Sequence, residues 1–323
     1  MNKFKFYFIV LITTLSLFSC SKDESPAEIA PPRDYKVQFD VDIAYIENYL
    51  TTHYLDMDLE DPNFADKDVI IKPIPVDGLQ IPIKSFEANA TEGSTVFPQL
   101  WSRNVSLHGI NYKVYYLVLR EGIGESPTNT DAVLAPYSGS YLQITTSSET
   151  SPVTATLFEE SKFPNQLFNL LGTIKGWGEI FPQFKTGSYD DHKVDGIPDG
   201  TTDYKDFGAG VMFLPSGLAY FENRPGSIPS YAPLVFSFKL YAIQRLDTDG
   251  DGILNDQEDL DDDDYMYDYR NLINYPTPPA TNPDDTDGDG IPNFLDVDDD
   301  GDGYTTKLEI SKGTDYLDKN SYP

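Results

Sequence analysis

Apolar positions change rhythm along this chain of 323 residues. They run almost unbroken from Phe6 to Phe18, behind the basic Lys3 and Lys5. Between Val41 and Tyr54 they recur every three or four residues, at Ile43, Ile46, Tyr49 and Leu50, with Glu47 and Asn48 on the other side; that period predicts a helix. Residues 55–105 keep no period. Prolines at 62, 73, 75, 82 and 98 interrupt short β-like runs such as Val69-Ile70-Ile71, so an irregular extension packed on the main domain is expected. Asn111–Arg120 is rich in β-formers and stops at Gly122-Ile123-Gly124. Asp131–Leu142 and Thr154–Phe158 predict two further strands, Thr173–Phe184 a short helix, and Val211–Leu214 and Leu234–Ile243 the last strands. Between the helix and the next strand, Ser188–Ala209 is rich in Asp, Gly and Tyr without an alternating Asp-x-Asp-x-Asp pattern, and reads as a solvated loop. The succession predicts an α+β fold built on an antiparallel sheet.

Charge divides the chain where hydropathy does not. Hydrophobic residues at 39% and aromatics at 13% suffice for a sizeable core. The net charge is −30; 23 of the 53 acidic residues but only 4 of the 23 basic ones follow Leu246, so −19 lies in the last 77 residues and −11 before them. That shift marks a boundary near Leu246. An acidic balance of this size argues against nucleic acid as a partner and disfavours attraction to anionic lipid heads. The basic start and short apolar run form a targeting segment, too short for a span. It ends Leu17-Phe18-Ser19-Cys20, which resembles a bacterial lipobox. The resemblance implies that residues 1–19 are a signal peptide and that Cys20 is lipidated, anchoring the protein to the membrane as an outer-membrane lipoprotein of the cell envelope. Cys20 is the single cysteine, so no intrachain disulfide forms. Ser21-Lys22-Asp23-Glu24 resembles the surface-export signal of lipoproteins in Bacteroidetes-type bacteria, and Ser25–Arg33, with three prolines, reads as an extended linker. Residues 20–36 are the tether and 37–107 an N-terminal extension.

Three motifs follow in order: Ile174-Lys175-Gly176-Trp177, then Pro215-Ser216-Gly217-Leu218-Ala219-Tyr220, then Gly226-Ser227-Ile228-Pro229 ahead of the strand Leu234–Leu240. At this spacing the set resembles the FKBP-type peptidyl-prolyl isomerases over about residues 108–244, with 188–209 as an insertion. The resemblance implies an antiparallel half-barrel wrapped on a short helix, proline-containing polypeptide clients, and rotation about an X-Pro amide without a cofactor. Trp177 resembles the pocket floor, and Tyr137, Phe158 and Phe236 its walls. Ile174 supplies a backbone N–H and Tyr220 a hydroxyl to substrate carbonyls. Ile228 resembles the apolar tip of the hairpin loop. Glu159 stands where the family usually has Asp and Thr173 where it has Val; Gln166 or Leu167 stands where another pocket aromatic is often found. The expected function is a cell-envelope isomerase assisting folding of exported proteins. The alternative is a catalytically weak FKBP-fold binding or scaffold lipoprotein with a calcium-dependent surface or adhesion tail. His53, His108 and His192 are isolated, with no HExxH or triad context.

The acidic region, residues 245–323, carries its own chemistry. Asp247 to Glu258 fits a twelve-residue calcium loop, with Asp247, Asp249 and Asp251 at alternate positions, Gly252 at the sharp turn and Glu258 as the closing ligand. Asp285, Asp287 and Asp289 repeat the pattern with Asp296 at the end, and Asp298, Asp300 and Asp302 repeat it with Glu309. Backbone carbonyls of Ile253, Ile291 and Tyr304 would complete the three sets. Such closely spaced loops resemble thrombospondin type 3 repeats, in which aspartates wrap calcium around almost no apolar core.

Overall fold

The computed structural model describes residues 31–144, 153–194 and 197–323. The signal segment and Cys20 lie outside the described residues. Two compact units divide the chain, Met1–Arg33 and Asp34–Pro323; of the first, residues 31–33 are described, without regular structure. Among the described residues no helix is long and apolar enough to cross a membrane.

The second unit runs α1 (Tyr35–Thr52), β1 (His53–Leu55), β2 (Ile71–Pro73), β3 (Gln99–Leu107), β4 (Ile110–Arg120), β5 (Ala132–Leu134), β6 (Tyr137–Ile144), β7 (Val153–Ser161), β8 (Phe168–Asn169), α2 (Lys175–Ile180), β9 (Ser188–Val194), β10 (Ile197–Lys205), β11 (Gly208–Leu214), β12 (Leu234–Leu240), β13 (Ala242–Gln244) and α3 (Thr306–Lys312). The fold is α+β, with few helices and antiparallel sheets. Its centre is a six-stranded sheet in the order β3-β4-β11-β12-β6-β7.

Both faces of that sheet are buried. Along β4, Val114, Tyr116 and Val118 point to one side and Tyr115, Leu117 and Leu119 to the other; β11 divides likewise into Met212 and Leu214 against Val211 and Phe213. Strands buried on both faces read as continuous apolar runs rather than alternating ones. The first face packs on Trp177, Ile180 and Phe181 at α2. The second packs on Ile46, Tyr49 and Leu50 of α1. The N-terminal extension is therefore a third layer. Its helix starts six residues before the apolar period because Asp34 caps it: the Oδ1 oxygen accepts from Val37 N at 2.9 Å.

Two elements differ from the sequence expectation. Gln99–Leu107 lies partly in the stretch expected to be irregular, yet pairs along its whole length with β4, from Gln99 opposite Val118 to Leu107 opposite Ile110. The 188–209 insertion, expected as a loop, forms the antiparallel β9–β10 ribbon, with Ser188 opposite Lys205. Tyr204 of this ribbon stacks on Tyr241, centroids 4.4 Å apart and nearly coplanar at 6°, which seats the ribbon on the domain. The charge shift at Leu246 coincides with no break in packing: Tyr265 and Met266, well beyond it, are buried, and Asp34–Pro323 is one compact unit.

Candidate functional site

Beside α2 the chain opens a cleft of about 520 Å³, to which Tyr137, Glu159, Phe168, Thr173, Ile174, Trp177, Tyr220 and Phe236 all contribute. Two glycines make it possible. A Cβ on Gly176 would lie 2.6 Å from Leu214, so α2 approaches β11 more closely than any side chain there would allow. A Cβ on Gly139 would meet Phe158 and Phe236 at 2.6 and 2.7 Å, so its absence lets the two rings lean together across the sheet.

Trp177 is only 5% exposed and stands at the centre of an edge-to-face box. Its ring meets Tyr137 at 5.1 Å, Phe168 at 5.5 Å and Phe236 at 5.4 Å, each near perpendicular. Such contacts point positive ring edges at negative faces and lock the walls relative to one another. The Trp177 Nε1 donor is buried without an acceptor among the described residues. At the rim, burial and then the nearby Glu159 carboxylate push the Tyr137 hydroxyl up to about 12. The same two causes raise Tyr220. Both phenols are therefore proton donors throughout the neutral range. Ile174 caps α2 by accepting from Trp177 N at 3.0 Å, and no acceptor among the described residues takes its own N–H. Thr173 turns its hydroxyl inward to the Leu170 carbonyl at 3.0 Å.

The loop bearing Tyr220 is held from outside the domain expected for it. Asp42 of α1, buried, accepts from both the backbone N and Oγ of Ser216, at 2.7 and 2.6 Å. Gln38 Nε2 donates to Asp42 at 2.6 Å and to the Tyr231 carbonyl at 3.3 Å.

Most of the sequence-derived set converges, with two exceptions and one addition. Phe158 meets Phe236 at 5.7 Å but does not line the cleft. Ile228, expected at the loop tip over the pocket, is 5% exposed and belongs to the main core. Its turn folds inward, with Ile228 N donating to the Pro225 carbonyl. Phe168 was missed. The aromatic expected at 166 or 167 sits one or two residues later, where the short β8 pairing with Val133 turns it toward Trp177.

In the acidic region the structure gathers four carboxylate groups: Asp249, Asp251, Glu258 and Asp299; Asp259, Asp261 and Asp263; Asp285, Asp287 and Asp289; and Asp298, Asp300 and Asp302. Within each group the nearest oxygens lie within 4.8 Å of one another. Asp247 and Asp296 fall outside these groups. Asp247 instead accepts from Gly250 N at 2.8 Å, and Asp296 from Asp298 N at 3.0 Å. Glu309 also stands apart from the fourth group, although its Oε2 is buried without a partner among the described residues. Each loop is clamped at its neck in the same way. Asn255 bonds Thr248, Asn293 bonds Thr286, and Thr306 bonds Asp299. Gly252, at φ +111°, makes the turn within the first loop in a conformation closed to other residues. Burial first, then the surrounding carboxylates, push Glu258 up to about 9 and Asp299 up to about 8. Buried carboxylate oxygens without donors fit a hard, many-oxygen cation such as calcium.

Over 143 residues, 42% of this chain, the sequence is 32% identical to an FKBP-type peptidyl-prolyl cis-trans isomerase, FkpA of Aeromonas hydrophila. The match covers 40% of that relative, so the chain spans about two fifths of its length. This stretch is homologous to FKBP-type isomerases. Residues 248–323 match the family described as BamM C-terminal. Among solved structures, a peptidyl-prolyl cis-trans isomerase from Pseudomonas syringae pv. tomato is 21% identical, covering 50% of this chain and 90% of its own, at a TM-score of 0.30. FkpA from Escherichia coli is 24% identical, covering 50% and 56%, also at 0.30.

Proposed function

We propose that the protein is a peptidyl-prolyl cis-trans isomerase of the cell envelope that acts on proline-containing segments of exported polypeptides. The observation that carries this reading is the dry aromatic box around Trp177, with its two donors at the rim. Rotation about an X-Pro amide is opposed by roughly 18–20 kcal/mol because the C–N bond has partial double-bond character. Twisting localises the nitrogen lone pair and makes the group less polar, so a catalyst gains by binding the twisted form better than either planar one. The proline ring would rest on the Trp177 face between Tyr137, Phe168 and Phe236. The N–H of Ile174 and the hydroxyl of Tyr220 would hold the flanking carbonyls, and exclusion of water would favour the twisted amide. Leu167 and Leu171, exposed beside Phe168 and Gly172, offer apolar surface to the client residue before proline. Exchange spectroscopy on a short Leu-Pro peptide tests the reading: catalytic amounts of protein should broaden and merge the cis and trans signals. Peptide binding without faster exchange would leave a binding module in place of an enzyme.

Two further assignments complete the proposal. Lipid on Cys20 would anchor the chain. The basic and apolar start of the sequence supports this, and the BamM C-terminal match points to outer-membrane association. Calcium would occupy the acidic loops, supported by buried carboxylate oxygens that find no donor among the described residues, among them both oxygens of Glu258 and of Asp299. Aspartates of each loop would hold the ion; it supplies charge compensation and a fixed shape to a segment with little apolar core.

A further inference from the structure

We propose that the first and third acidic loops share one divalent cation on Asp249, Asp251, Glu258 and Asp299, and that this ion closes a strap that braces the helix carrying Trp177. The proposal rests on the calcium reading of the acidic region. Glu258 and Asp299 are each 1% exposed, and none of their four carboxylate oxygens has a partner among the described residues. One oxygen of Asp249 and one of Asp251 are buried and unpartnered as well. Four carboxylates with oxygens within 4.8 Å, six of those oxygens buried and without a donor among the described residues, repel one another unless a cation lies among them. An all-oxygen set of this charge suits calcium; magnesium keeps more of its water and demands stricter geometry. Asp299 occupies the loop position that is Thr248 in the first repeat and Thr286 in the second. The carboxylate is therefore specific to this one place, where it reaches a neighbouring loop. The Lys307 ammonium ties the same loops from outside, donating to the Gly250 carbonyl at 2.9 Å.

The chain between Glu258 and Asp299 is the strap. Its first quarter, at Tyr265–Tyr267, is seated on α2 by a chain of polar contacts. Tyr265 donates to the Glu179 carbonyl at 2.9 Å and accepts from Gln183 Nε2 at 2.8 Å. Tyr267 donates to the Glu179 carboxylate at 3.1 Å. The Met266 backbone exchanges two hydrogen bonds with the Asn129 side chain, at 2.8 and 2.9 Å. Glu179 is itself fully buried, paired with Arg103 at 3.1 Å and Lys175 at 3.3 Å. Arg103 stacks its guanidinium over the Tyr265 ring at 3.7 Å. On α2, Glu179 is two residues from Trp177 and so faces nearly the opposite way. The strap grips the back of the helix whose front is the cleft floor. Removing the ion frees both ends of the strap and restores the carboxylate repulsion that pushes them apart.

Hydrogen exchange on the full chain, in calcium chloride and in chelator, tests this alongside calorimetric titration with calcium. At calcium a hundredfold above the dissociation constant, α2 amides should exchange up to about a hundred times more slowly than in chelator. Asp299→Asn should abolish most of that slowing and remove one calcium from the titration. Tyr267→Phe should keep the calcium count but reduce the slowing at α2. If calcium binds and α2 exchange does not change, or if Asp299→Asn leaves the slowing intact, the strap is overturned while the calcium reading survives. If Tyr267→Phe leaves it intact, the route through Glu179 is wrong. If no calcium binds at all, both readings fall together.

Discussion

Trp177 is the residue on which the cleft depends, because three perpendicular rings lean on it at once. Trp177→Leu removes the flat floor while keeping an apolar side chain. It should lower kcat/KM for a Leu-Pro peptide by at least about tenfold, near 1.4 kcal/mol of transition-state binding. The melting temperature, read alongside, separates lost catalysis from lost folding. Phe168→Leu should act mainly through KM, since Phe168 is a half-exposed wall. Residue chemistry also predicts a pH response. Burial holds His53 and His108 down to about 4, against smaller opposing contributions from hydrogen bonds to Tyr49 and Asn274. Both are neutral when folded, whereas the unfolded chain takes up protons near pH 6.5. Their contribution to stability is complete above pH 6.5 and declines as pH falls from there to about 4. Imidazole chemical shifts in the native protein should titrate near 4; midpoints near 6.5 would contradict the burial. The cleft residues were largely legible through the ordered motifs around Trp177 and Tyr220 and their resemblance to FKBP-type isomerases. Trp177, Tyr137, Tyr220 and Phe236, all in the cleft, were legible in this way. Phe168 was not, since a shift of one or two residues in β8 leaves the composition unchanged and is fixed only by pairing with Val133. Ile228 failed for the converse reason: the sequence names an apolar side chain but does not say which side of its turn it occupies.

At the scale of elements, α1 contributes to the site without touching its cavity. Its Asp42 caps the turn at Ser216, four residues before Tyr220, so this helix sets where the rim hydroxyl stands. Asp42→Ala leaves two buried donors on Ser216 unsatisfied and should destabilise the fold by about 1–3 kcal/mol. It should also lower peptide turnover beyond what that instability explains; Asp42→Asn, which keeps an acceptor, should recover most of both. Unchanged turnover in a folded Asp42→Ala protein would mean that Tyr220 needs no such support. The helix itself was visible in its apolar period, and β4, β11 and β12 in their β-branched and aromatic runs. β3 was hidden because its neighbourhood is rich in proline, and its strand state comes from pairing with β4 along its length rather than from local preference. The acidic loops were legible as units, through glycine and aspartate spacing. Their cross-connection through Asp299 was not, because proximity between loops is a property of the packed chain.

For the whole molecule, the proposed lipid on Cys20 would fix where the cleft works, and the proposed strap would fix how firmly its helix is held. Cys20→Ser should move the protein from the membrane to the soluble fraction, and mass spectrometry of the wild-type chain should find Cys20 acylated at a new amino terminus. An intact Met1 would refute the anchor. A chain ended at Leu246 tests the packing instead. It would leave Glu179 and Arg103 without Tyr265 and Tyr267, exposing a charge pair that the full chain buries. Its melting temperature should fall, by several degrees or more if about 1–3 kcal/mol is lost.

The seating of Tyr265 and Tyr267 on α2 also has a consequence in time. The helix emerges from the ribosome more than eighty residues ahead of the strap that completes it, with Glu179 and Tyr267 separated by 88 positions. Contacts of such long sequence separation form late, because the intervening chain must first be closed into a loop. During synthesis the cleft face of the helix therefore exists for a while without its backing. A nascent chain stalled before Tyr265 should therefore be cut by protease near α2 more readily than a chain that extends past Tyr267.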